Sequence, residues 1–199
     1  NLSSMLLQGT AEQSRCRSSS SRGQNRGGLR EARRTDPSAN SRPALMASAI
    51  ALTDESGFDW SGTSCDPSRL LNLTEFLLRK LGMHPECEVS IALVTPEVMT
   101  DLHVTWMDEE GPTDVLSFPM DNLHPGTDAA QPPLGILGDV IMCPRVALEQ
   151  AEHAGHDLTT ELNILMTHGV LHLLGFDHAT QDEHTRMFSL QDQLLAHWP

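Results

Sequence analysis

The stretch His168-Gly169-Val170-Leu171-His172-Leu173-Leu174-Gly175-Phe176-Asp177-His178 limits this chain more than any other. His168 and His172 stand four residues apart, which puts both imidazoles on one face of a helix, a turn apart. Gly175 follows where such a helix would end, since glycine enters the left-handed conformation of a C-cap without a Cβ penalty. A chain that turns there can bring His178 back toward the other two rings. Three neutral ring nitrogens converging on one point form the protein half of a catalytic zinc site whose fourth position is left to water. The spacing therefore predicts a metal-dependent hydrolase. A lone histidine beside leucines is usually a core residue, but three with a glycine between the second and third form a mechanism-bearing pattern.

The same spacing occurs in the metzincin pattern His-Glu-x-x-His-x-x-Gly-x-x-His. This chain keeps its histidines and its glycine but has Gly169 where the protease carries its glutamate. Without that carboxylate the usual route to peptide hydrolysis lacks its proton acceptor, which counts against a zinc peptidase.

Charge divides the 199 residues in two. Eight of the 13 Lys and Arg residues precede residue 46, against three acids, so the rest carries five basic and 24 acidic side chains. Residues 1–45 are rich in Ser, Arg, Gly and Gln and too poor in apolar positions to offset the entropy of ordering. They read as a disordered tail, of transit-peptide or RNA-contacting type, or as an upstream extension from a misassigned start with Met46 the natural first residue. Residues 46–199 read as a single domain. Its acidity makes it a poor default nucleic-acid binder, because neutralising phosphates takes Lys and Arg; a bound metal's positive charge or a protein partner would answer that objection. Cys16, Cys65, Cys87 and Cys143 form no Cys-x-x-Cys pair, and free thiols in a reducing cytoplasm are expected. No apolar run approaches the ~20 residues of a membrane span.

Along the domain, Ala49–Leu52 reads as a short strand and Asp54–Gly57 as a turn. Asp66-Pro67 looks like an N-cap and first helical position before a helix with Leu70, Leu73, Leu77 and Leu81, ending at Gly82. Cys87–Val94 alternates as a half-buried strand. Thr95-Pro96 opens a helix with Val98, Leu102 and Trp106 on one face and His103 away from the main motif. Thr113–Pro119 reads as a strand stopped by proline, residues 120–133 as a mobile loop, and Leu134–Cys143 as another strand. Pro144 opens a helix bearing Val146, Leu148 and Ala151. Asp157 caps the motif helix, which has Glu161 in its first turn and a stripe of Leu158, Leu162, Leu165 and Leu171. Gly169 inside that helix costs about 1 kcal/mol against alanine, so close backbone packing is expected there. A final helix carries Met187, Leu190, Leu194 and Leu195. The expected fold class is α+β: a small mixed sheet of about four strands with about five helices, the metal motif on a helix of the C-terminal half.

Three stretches together resemble the YbeY family of single-strand-specific endoribonucleases. They are the histidine motif, Gly111-Pro112-Thr113-Asp114-Val115-Leu116-Ser117-Phe118-Pro119, and Leu137-Gly138-Asp139-Val140-Ile141, and the likeness runs from about Ile50 to the C-terminus. The resemblance implies one zinc ion held by His168, His172 and His178. It also implies action on single-stranded ribosomal RNA in maturation of the small-subunit 3′ end and in ribosome quality control, with small-subunit proteins as partners and no DNA or membrane partner. One departure stands out: where many members carry arginine in a Leu-Asn-x-x-Tyr-Arg stretch, this chain reads Leu102-His103-Val104-Thr105-Trp106-Met107. Methionine cannot hold a phosphate bidentately as arginine does.

The chemistry expected is metal-assisted cleavage of an RNA phosphodiester. Asp139, in a Gly-Asp pair expected at a strand end, and Asp177, beside a ligand, are the candidate catalytic residues, though either could orient an imidazole instead, the favoured role for Asp177. Thr113, Ser117 and Phe118 are candidates to line the cleft, Phe118 by stacking a base or as a core residue. The rival readings are a zinc peptidase and a non-catalytic ribosome-assembly factor with a structural metal. The second is disfavoured because structural zinc normally has four protein ligands.

Overall fold

Helix ends and strand registers follow from local chemistry that can be named residue by residue. The computed structural model describes residues 49–108, 110–124 and 134–199. The expectations for residues 1–45 and for most of the 120–133 loop lie outside the described residues. Four strands, β1 (Ile50–Asp54), β2 (Glu88–Leu93), β3 (Val115–Pro119) and β4 (Ile136–Met142), form one mixed sheet in the order β1-β2-β4-β3. β1, β2 and β4 run parallel and β3 runs antiparallel to β4 at the edge. Five helices accompany it among the described residues: α1 (Arg69–Lys80), α2 (Pro96–Met107), α3 (Pro144–Ala154), α4 (Leu158–Leu173) and α5 (Gln181–Ala196). This is the expected α+β architecture.

The helix starts obey capping chemistry. Thr95 accepts from Val98 N–H and Asp157 from Thr160 N–H, each relieving an orphan donor of the first turn. At α1 the start differs from expectation. Asp66 accepts from Ser68 N–H, but the regular helix begins only at Arg69, because Asp66 and Pro67 carbonyls first make tighter three-residue turns. Helix α2 also departs from the sequence pattern: Met99 is its fully buried residue, while Val98 and Trp106 are about half exposed. An apolar spacing of four marks a face but does not say that anything covers it.

Helix α4 is the centre of the packing, touching α1, α3, α5, β3 and β4. Leu158, Leu162, Leu165 and Leu171 are buried along it as expected. Gly169 explains its own cost: a Cβ there would lie 2.8 Å from Val140 Cγ1 and 3.1 Å from Ser117 Oγ. The helix thus rests directly on β3 and β4, and Ser117 Oγ donates to the Gly169 carbonyl at 3.2 Å.

Strand β3 ends at Pro119 as expected, although Met120 and Asp121 N–H just beyond it still donate to the Leu137 and Ile136 carbonyls. Proline is tolerated there because its missing N–H faces away from β4 at the sheet edge. One expectation about the sheet is corrected: Gly138-Asp139 does not lie at a strand end, since Asp139 is the middle residue of β4, paired with Ser90 on one side and Phe118 on the other. The strand passes through because Gly138 takes φ +143°, absorbing a register shift opposite Glu88 and Val89. A Cβ at Gly138 would stand 2.2 Å from the Phe118 carbonyl oxygen. Gly138→Ala is therefore expected to cost about 3 kcal/mol or more, combining backbone strain with a clash against main chain, read as a lowered urea midpoint.

Candidate metal centre

The site is assembled from one helix face and one short loop. His168 and His172 project from the last two turns of α4. The helix then ends in a Schellman turn: Gly175 takes φ +81°, its N–H donates to the His172 carbonyl, and Phe176 N–H donates to the Leu171 carbonyl. Five residues later α5 starts with a capping box, in which Thr180 accepts from Glu183 N–H and the Glu183 carboxylate accepts from Thr180 N–H. His178 sits in the loop clamped between these two termini.

The three imidazoles converge. One ring nitrogen from each of His168, His172 and His178 lies within 4.8 Å of the others. His168 Nε2 and His172 Nε2 are 3.0 Å apart, close to the ~3.4 Å that tetrahedral zinc–nitrogen bonds of ~2.0–2.1 Å impose. Burial, reinforced by the neighbouring His172, holds His168 below the usual imidazole range; burial and His178 do the same to His172. Neutral rings carry the lone pairs that a cation needs. The Gln191 side-chain oxygen, from α5, lies 3.1 Å from His168 Nδ1, so this nitrogen donates and Nε2 is left free. Gln191 is itself buried. These donors fit a borderline-soft cation such as zinc.

A cleft of about 660 Å³ opens beside the rings. Its walls include His103, Met107, Thr113, Asp114, Ser117, Glu161, Phe188 and Gln191 with the three histidines. Thr113 and Ser117 are where the sequence reading put them. Phe118 is not: it points to the other side of β3 and meets Trp106 edge-on at 5.7 Å. Met107 does stand on the cleft wall, and among the described lining residues there is no Lys or Arg.

The two candidate carboxylates fall elsewhere. Val140 faces α4, so its neighbour Asp139 projects from the opposite face of the sheet and is not part of the cleft lining. Burial raises the Asp139 carboxyl above its ordinary value, partly countered by a hydrogen bond from Ser90. Asp177 is exposed and its Oδ1 accepts from His178 N–H at 2.7 Å, so it steadies the ligand loop through main chain. The carboxylates that do line the cleft are Asp114 and Glu161. Asp114 Oδ1 accepts from Val115 N–H at 2.7 Å and from the Thr113 hydroxyl at 3.0 Å. The sequence reading named neither as a site residue, nor Gln191; for Asp114 the usable signal was its place within the Gly111–Pro119 stretch.

Fold and cleft together define a class: an α+β protein whose three converging imidazoles can hold one cation beside an open groove. A family model described as Endoribonuclease YbeY matches residues 65–199, and the chain belongs to that family. The endoribonuclease YbeY of Thermobifida fusca is 56% identical over 138 residues, covering 69% of this chain and 89% of the relative. That of Beutenbergia cavernae is 54% identical over 135 residues, covering 68% and 90%. That of Mycolicibacterium smegmatis is 49% identical over 152 residues, covering 75% and 83%.

Two outcomes follow from this geometry. Gln191→Leu is expected to weaken zinc binding by about 10–100-fold through loss of the partner that orients His168, measured by competition with a chromophoric chelator, with the circular dichroism spectrum unchanged. In the metal-free protein, His168 and His172 bind protons less readily folded than unfolded. Stability is thus expected to be full above the unfolded imidazole value of ~6.5 and to fall as pH drops below it. Urea titrations between pH 8 and pH 5 check this; a midpoint that rises on acidification contradicts it.

Proposed function

We propose that this chain is a zinc-dependent endoribonuclease that cuts single-stranded RNA, acting in the cytoplasm on ribosomal RNA during small-subunit maturation and ribosome quality control. The observation that carries the reading is the convergence of His168, His172 and His178 beside an open cleft. Membership of a family whose curated members are named endoribonucleases supports the substrate. Among the described residues no helix is long and apolar enough to cross a membrane.

When bound, zinc supplies Lewis-acid polarisation of a phosphoryl oxygen and acidifies water in contact with it. The protein's part is to present and position. His168, His172 and His178 hold the cation, Gln191 fixes the tautomer of His168, and Asp177 steadies the turn that carries His178. Asp114 is the carboxylate that the cleft offers for a proton near His168, since its Oδ1 is pinned by Val115 and Thr113. Asp139 keeps a structural place on the far face of the sheet. Leu165, Phe188 and Ile164 give the cleft apolar wall that limits water.

A peptidase reading is disfavoured twice over: Gly169 lacks the general base, and the 2.8 Å approach of Val140 leaves no room for one. Incubation of the zinc-loaded protein with single-stranded RNA and with casein, beside His172→Ala, tests the proposal. RNA is expected to be cut and casein spared, with the variant's cleavage falling by about 100-fold or more. Turnover of neither substrate by the loaded wild type rejects it.

A further inference from the structure

The wall of the cleft is unusual for a nucleic-acid site. Its described lining holds no Lys or Arg, and it holds two carboxylates, Asp114 and Glu161. Side-chain charge therefore cannot draw the phosphates of an RNA strand into it, although phosphate contacts by Lys and Arg supply most sequence-independent affinity. The facing wall is the free edge of β3. Cys143 N–H donates to the Asp114 carbonyl and Met120 N–H to the Leu137 carbonyl, so residues 114, 116, 118 and 120 turn their backbone groups toward β4. Val115, Ser117 and Pro119 turn theirs to the outside, where among the described residues no further strand follows β3 in the sheet. With the Val115 N–H taken by Asp114 and none on Pro119, this edge offers three carbonyls and the Ser117 N–H, neutral groups that suit base edges better than phosphates.

Glu161 is the group that makes the cleft selective. It is only 7% exposed yet contributes to the lining, two helical turns before His168 on the same face of α4. Its Oε2 is held by His156 Nε2, from the turn that Gly155 closes at φ +78°. That contact fixes the carboxylate and leaves Oε1 for another donor. A buried, clamped acceptor on a cleft wall rejects a phosphate and a carbonyl alike, and takes an N–H.

We infer that Glu161, positioned by His156, reads one nucleobase beside the cleaved bond by accepting from its exocyclic amino group. Cytosine, adenine and guanine each carry an exocyclic amino group; uracil carries none, and its one N–H lies between two carbonyl oxygens that the carboxylate repels. The strand thus enters with its bases turned to this wall. The inference rests on the endoribonuclease reading and adds a substrate preference to it.

The test uses the full-length zinc-loaded protein and a short single-stranded RNA pool randomised over several positions, the cleaved ends being sequenced. The wild type is expected to favour C, A and G over U by about tenfold at one position near the cut. Glu161→Gln, whose amide can both donate and accept, is expected to level that preference while zinc content stays the same. Glu161→Asp, which keeps the charge but withdraws it by one methylene, is expected to weaken it. A wild type that cuts RNA without any preference against U overturns the inference while leaving the endoribonuclease reading standing, and so does a Glu161→Gln protein with the wild-type preference. If the wild type cuts no RNA, the endoribonuclease reading fails instead, and fluorescence anisotropy with oligo-C and oligo-U decides this one: equal binding overturns it.

Discussion

The contact on which everything else depends is the seating of α4 on the sheet at Gly169. Without a side chain at that position, the helix comes down until Val140 and Ser117 meet its backbone. Only at that depth do His168 and His172, flanking Gly169, stand at the wall of a cleft bordered by β3. The ~1 kcal/mol that glycine costs in a helix interior is small against the burial of the leucine stripe on the same element. The position that could have carried a peptidase's general base is thus committed to seating the helix that bears His168 and His172.

A second constraint completes the triad of rings. His178 must return toward α4, and the seven residues from Leu174 to Thr180 are held at both ends, by the Schellman turn and by the capping box. Each is a local hydrogen-bond arrangement with a sequence signature, and Leu174 and Phe176 anchor the start of the loop in the core. Asp177 adds a third restraint on the backbone of His178 itself. The exposed His178 is thereby positioned by turn chemistry, whereas the half-buried His168 and His172 are positioned by packing.

The acidity of the domain and an RNA substrate are reconciled in the cleft. Charge attraction is not what its described walls provide; a cation at the imidazoles would be the local positive charge, and neutral or acceptor groups surround it. Met107 fits this picture. A thioether at the rim offers a soft apolar surface where an arginine would have offered a phosphate fork.

The chain's own letters determined the α+β class, the element order, the three converging histidines and the turn that joins them. These depend on short-range rules: a four-residue helical spacing, a glycine C-cap, a Thr-x-x-Glu start, and prolines at helix openings. Tertiary structure alone decided which carboxylates face the rings. Asp139 stood out in sequence beside Gly138, but the alternation of β4 points it away from α4, and only the seating of Val140 reveals which face is which. Gln191 reaches His168 across 23 positions, and Asp114 and Glu161 meet in one cleft from separate elements. No periodicity encodes such meetings, because they follow from strand order and helix docking, which the whole core sets at once.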